Sequence, residues 1–144
     1  MLIPLLLALA SPPAPPTILA TCGASTGKGY FVLDGKGVWA DDGITKGRLV
    51  FSVADDDKPN LTYYDTFSGT VDAVADGGRV FLTHLDETGD FSMVVIYPAT
   101  AVAETYSLIR LATGKRQVVW TTNKAHTGVG QRASSAKVFT ADCD

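Results

Sequence analysis

The chain has 144 residues, a formal net charge of −3 and 19% charged residues. That length fits one domain with its own core, and so weak an acidic balance excludes a strong field for steering nucleic acid. Two cysteines and two histidines leave little material for a metal centre, since a catalytic zinc site asks for about three protein ligands.

The first ten residues, Met1-Leu2-Ile3-Pro4-Leu5-Leu6-Leu7-Ala8-Leu9-Ala10, carry no charged side chain and close on an A-x-A pattern. A short apolar core before small residues predicts a secretory signal peptide over 1–10, with cleavage as late as residue 20 as the alternative. The missing basic residue departs from the usual pattern. The apolar run is about half of the roughly 20 residues that span a bilayer, so no transmembrane segment is expected after cleavage. Residues 11–21 open with Ser11-Pro12-Pro13-Ala14-Pro15-Pro16, which lacks the backbone donors for a helix or central strand and predicts an extended leader.

Cys22 and Cys143 bracket the expected domain, 22–144. An even count in an exported chain predicts one disulfide between them. The bridge closes a loop of roughly 120 residues and requires the first and last elements to be neighbours.

Turn signals recur every eight to twelve residues or so from Gly27 onward, the rhythm of an all-β domain. Tyr30-Phe31-Val32-Leu33 predicts a strand stopped by Asp34-Gly35-Lys36-Gly37, and Val38-Trp39-Ala40 a short one ending at Asp41-Asp42-Gly43. From Arg48 to Val53 the pattern alternates, with Leu49, Phe51 and Val53 on one face. Strands are expected at 61–67, 70–75 and 79–85, with Asp76-Gly77-Gly78 as a tight hairpin between the last two. Phe91 to Tyr97 is strand length and β-branched, and predicts a central strand with neighbours on both sides. Further strands are expected at 103–111, 117–122 and 137–141, with 123–135 as the longest loop.

Short connections make successive strands antiparallel neighbours. The fold expected is a single-domain antiparallel meander of about eight to ten strands, a closed up-and-down (lipocalin-like) barrel that removes exposed edges. A β-sandwich is the alternative.

Several pieces together resemble a family of small exported bacterial, proteobacterial-type, all-β proteins of unknown function. They are Cys22-Gly23-Ala24-Ser25, Trp39 with Asp41-Asp42-Gly43-Ile44, Asp76-Gly77-Gly78, Val95-Ile96-Tyr97-Pro98, Glu104-Thr105-Tyr106-Ser107 and Ala141-Asp142-Cys143. The resemblance covers most of the chain after the leader and implies bacterial origin and export to the periplasm or the medium. It brings no catalytic residue with it. Leu19-Ala20-Thr21-Cys22 separately resembles the lipobox of bacterial lipoproteins, though threonine is unusual before the cysteine. That resemblance implies a lipid anchor on Cys22 and leaves Cys143 unpaired.

Gly23-Ala24-Ser25-Thr26-Gly27 has the letters of a nucleophile elbow, but no helix pattern follows Ser25 and no acid–histidine pair is brought to it. With Lys28 and Gly29 the stretch also misses the spacing and hydroxyl of a phosphate loop. His84, Asp86 and Glu87 sit at a strand end, and the second histidine, His126, lies in the long loop. Asp55-Asp56-Asp57 lacks the alternating ligands of a calcium loop and reads as a charged turn. Asn60-Leu61-Thr62 matches a glycosylation acceptor, which the bacterial resemblance makes a chance match. Trp39, Tyr63, Tyr64, Tyr97, Tyr106 and Trp120 supply either core or a ligand cavity. The expectation is therefore no catalytic set, no metal site and no cofactor. The function expected is a non-catalytic exported module that binds a small, partly apolar ligand inside a barrel, or alternatively a cell-envelope interaction protein such as an inhibitor of a secreted enzyme.

Overall fold

A computed structural model describes residues 14–33, 35–54, 57–66, 69–125 and 134–144. The expected signal peptide, Asp55, Asp56 and His126 lie outside these residues. The described residues form eleven strands, β1 (Thr17–Cys22), β2 (Ser25–Leu33), β3 (Lys36–Ile44), β4 (Arg48–Val53), β5 (Pro59–Asp65), β6 (Gly69–Asp72), β7 (Arg79–Leu85), β8 (Phe91–Tyr97), β9 (Val102–Arg110), β10 (Arg116–Lys124) and β11 (Ser135–Cys143). The one helical element among the described residues is a single 3-10 turn at Pro98–Thr100. No helix there is long and apolar enough to cross a membrane.

All eleven strands belong to one antiparallel sheet, in the order β6-β5-β4-β1-β11-β10-β9-β8-β7, with β2 paired to β11 and β3 paired to β2. β1 and β2 both run antiparallel to β11, at Cys22↔Cys143 and Thr26↔Thr140. They are two halves of one pass with a bend at Gly23-Ala24. β3 and β4 likewise make one pass along its other edge, pairing Ile44 with Ser25 and Leu49 with Cys22. The meander therefore makes nine passes, in which the last returns to pair with the first.

The sheet curls into a half-barrel around one core. β5 and β7 come into contact where its two ends approach, but among the described residues no ladder joins β6 to β7. Asp76-Gly77-Gly78 is consequently not a tight hairpin. It belongs to a wider turn in which the Gly78 N–H donates to the Ala73 carbonyl at 2.7 Å and the Asp76 N–H to that of Asp72 at 2.9 Å. Gly77 takes the positive φ of 84° that this turn needs. Residues 17–21, expected as extended leader, form β1, because its free backbone edge finds β4 at Thr17↔Val53 through Cys22↔Leu49.

Alternation sets the core. β4 buries Leu49 and Phe51, β8 buries Phe91, Met93 and Val95, β9 buries Tyr106 and Leu108, β10 buries Val118 and Trp120, and β11 buries Phe139 and Ala141. One row crosses the sheet as Met93, Tyr106, Trp120, Phe139 and Gly27, each opposite the next. Tyr106 stacks on Trp120 at 5.5 Å and Trp120 on Phe139 at 4.2 Å between ring centroids. Gly27 ends the row because a Cβ there would lie 2.8 Å from the Phe139 ring and closer still to the Val138 carbonyl. Interior space is filled by these rings.

The Cys22–Cys143 disulfide fastens the first pass to the last. Cys22 is fully buried and its sulfur is bonded to that of Cys143. Beside it Arg116 donates to the carbonyls of Asp144 at 2.9 Å, Leu19 at 3.0 Å and Gly89 at 3.3 Å, tying both chain ends to the β7–β8 turn. Replacing both cysteines with alanine should lower unfolding free energy by about 4–5 kcal/mol in the chain-entropy account, for a loop spanning 121 positions. Urea unfolding with an unchanged midpoint would show that the bridge does not constrain the unfolded chain.

Candidate functional site

Among the described residues the sites suggested by motif do not assemble. Ser25 is buried at the start of β2, where its Oγ accepts the Ile44 N–H at 3.3 Å, and a strand follows it rather than a helix. Its role is to hold β3 against the bend. His84 lies exposed on β7 opposite Ser92. Asp86 accepts the Thr88 N–H at 2.9 Å, the Thr88 hydroxyl at 2.7 Å and the Asp90 N–H at 3.0 Å. The Thr88 hydrogen bond, ahead of the others, holds its carboxyl below the ordinary range. That carboxylate organises its own turn. Among the described residues no cluster of three or more His, Cys, Asp or Glu side chains is placed to hold a metal ion. Asn60 Nδ2 donates to Asp72 at 2.6 Å, bracing β5 against β6.

Two arrangements that no short motif marks do stand out. The first lies on the inner face, one row beyond the aromatic stack. Glu104 is paired across the sheet with Val95 and Thr122, and alternation places it on the same face as Tyr106 and Leu108. Glu104 Oε2 accepts from the Tyr106 hydroxyl at 2.8 Å and from the Tyr63 hydroxyl, which reaches over from β5. The two phenols also touch each other.

Burial holds the Glu104 carboxyl above its ordinary value, against the opposing pull of hydrogen bonds from Tyr63, Tyr106 and Thr122. Burial likewise drives the Tyr63 and Tyr106 phenols well up, and with Glu104 nearby pushes Tyr97 up to about 12. Lys137, two strands away in the same row, is already engaged, 2.7 Å from Asp42 Oδ2 and over the Phe31 ring.

The second arrangement is on the outer face. Tyr30, Val32, Ala103 and Ala136 line a groove of about 440 Å³, with Asn123, Lys124, Ser134 and Ser135 as polar rim. The Val32 N–H donates to the Ser134 carbonyl at 3.0 Å, holding the two walls in register. A larger, open depression of about 1000 Å³ runs along β2, β3 and β11 past Trp39, Lys28, Asp41 and Val138. Trp39 is 66% exposed, the most exposed large apolar side chain described. Of the aromatics singled out from sequence, Tyr106 and Trp120 are buried core, Tyr63 and Tyr97 half-buried around Glu104, and Trp39 and Tyr64 exposed.

No family model, no curated protein and no solved structure matches this chain.

A carboxyl whose folded value is raised binds its proton more tightly in the folded than in the unfolded chain. Its stabilising contribution is complete below the ordinary value of 4.5 and is lost as pH rises through the folded value. Glu104→Gln keeps a neutral hydrogen-bonding group and should flatten that part of the stability–pH curve. Urea midpoints followed from acid to neutral pH test this, and an unaltered slope in the variant would assign the dependence to another group.

Proposed function

We propose that this protein is a non-catalytic exported binding module for a small, partly apolar ligand, held on the outer face rather than within the curled sheet. The observation that carries the reading is the outer groove of about 440 Å³, lined by Tyr30, Val32 and alanines with an amide, an ammonium and two hydroxyls at its rim. Its size falls within the roughly 300–1,000 Å³ of small-molecule sites, and few polar groups on an apolar wall is how such sites orient a ligand. An interior ligand would have to displace Phe51, Phe91, Met93, Tyr106, Trp120 and Phe139, all at most 5% exposed. Removing such rings costs about 3–5 kcal/mol each.

Export is supported by the disulfide, which persists in oxidising compartments, and by the apolar start of the chain. Cleavage before Thr17 fits the fold, because cleavage after Ala20 would delete the part of β1 that pairs with Phe51 to Val53. Closure of the half-barrel into a full barrel, and the bacterial origin that the motifs imply, belong to the same reading.

A second reading, an envelope interaction protein such as an inhibitor of a secreted enzyme, is favoured by Trp39, exposed above the larger depression. Trp39→Ala should then abolish inhibition of that enzyme while leaving thermal unfolding unchanged. Inhibition that survives the substitution would remove this reading.

For the preferred reading, 1-anilinonaphthalene-8-sulfonate should bind the folded protein saturably with enhanced fluorescence. Ala103→Trp, which fills the groove from an exposed strand position, should weaken that binding at least about tenfold, equivalent to about 1.4 kcal/mol. Equal binding by the variant would place the probe elsewhere and overturn the groove as the site. Protein recovered from its native fraction should begin near Ser11 by intact mass; a chain beginning at Thr21 would contradict the assignment of β1.

A further inference from the structure

Natural sheets shorten, bulge or charge their edge strands, because unpaired N–H and C=O groups recruit further strands. The outer strand β7 follows that practice, with a register shift between Leu82 and His84. β3 does not. It runs nine residues, exposed for most of its length, pairs with β2 in unbroken register and contains no proline. Among the described residues no strand pairs with its other edge.

The free groups can be named. The Ile44 N–H points at β2, where it donates to Ser25 Oγ at 3.3 Å. In an antiparallel pair these directions alternate, so the backbone groups of Gly37, Trp39, Asp41 and Gly43 face outward. The Gly43 N–H is taken by Asp42 Oδ1 at 2.8 Å. Gly37, Trp39 and Asp41 therefore form the open part of the edge.

We propose that this edge is a self-association strand: two copies of the chain pair antiparallel through β3 about a two-fold axis at Trp39. In that register odd residues meet odd residues, so the outward groups of one copy face those of the other. Trp39 lies opposite Trp39, Gly37 opposite Asp41, and Val38 opposite Ala40. Lys36 of each copy comes opposite Asp42 of the other, giving two opposite-charge pairs. Neighbouring registers lose this match. Centring on Asp41 sets two carboxylates face to face, and centring on Ala40 puts Asp42 against Val38. Opposite charges directly across a ladder stabilise it and like charges destabilise it, so charge selects Trp39 as the centre. Tyr30, 5.3 Å from Trp39 between ring centroids, extends the contact into a strip of four rings across the axis. The pairing also covers the most exposed large apolar side chain described.

Sedimentation of the mature, disulfide-bonded chain over a concentration series tests the pairing and should show a reversible monomer–dimer equilibrium. Asp41→Pro deletes an N–H that points away from β2, a position an edge strand tolerates. It should leave circular dichroism unchanged and abolish the dimer. Lys36→Asp places like charges opposite each other twice and should raise the dissociation constant by at least about tenfold. Because Lys36 is an exposed strand-end residue, it reads the contact even if the proline disturbs the strand. A chain that stays monomeric up to ~1 mM, corresponding to a binding free energy weaker than about 4 kcal/mol, would overturn the proposal. So would a dimer indifferent to both substitutions, which would place the contact on another surface.

Discussion

The pairing of the first pass with the last carries the architecture. β11 receives β10 along one edge and both halves of the opening pass along the other. Every other pairing joins neighbours in sequence, apart from β1 with β4, which extends the β2–β3 hairpin. Closing a loop of this length costs the most chain entropy of any contact in the fold, and the Cys22–Cys143 bond offsets that cost in the unfolded chain. Arg116 repeats the constraint without covalent chemistry by donating to carbonyls from both ends of the chain.

Once the ends are joined, the curl brings the alternating faces of β4, β8, β9, β10 and β11 onto one core. The Tyr106–Trp120–Phe139 stack fills it, and Gly27 leaves the space in which Phe139 sits. With the interior packed, the grooves lie on the surface. The grooves there are walled by β2, β3, β11 and the ends of β9 and β10. β5 pairs with β4 and β6 and not with β3, so among the described residues a long edge stands open beside them.

Much of this was legible from local pattern. Leu49 and Phe51 alternate inward as read, and Phe91 to Tyr97 is a strand with neighbours on both sides. Misreadings fell where partners are distant. Residues 17–21 follow a proline-rich stretch and carry no strong strand signal, yet β4 makes them a strand. Asp41-Asp42-Gly43 has turn composition, yet lies within β3, because these residues pair along the ladder with Lys28, Gly27 and Thr26 of β2. Asp76-Gly77-Gly78 has hairpin chemistry, but the strands it joins pair in opposite directions away from it. Glu104 went unremarked as a site residue. Its alternation with Tyr106 and Leu108 was a usable signal, since a carboxyl on a core-facing row demands partners.

By itself the sequence determined the class of structure: strands, their approximate places, antiparallel succession and the bond between Cys22 and Cys143. Those follow from alternation, turn chemistry and cysteine count, which act over a few residues or by simple pairing. Only the tertiary structure decided that Tyr63 crosses to Glu104, that aromatic rings fill the interior, and that β3 keeps one edge free. Each depends on how far the sheet curls, which is a sum over all its ladders and is written in no single stretch of the chain.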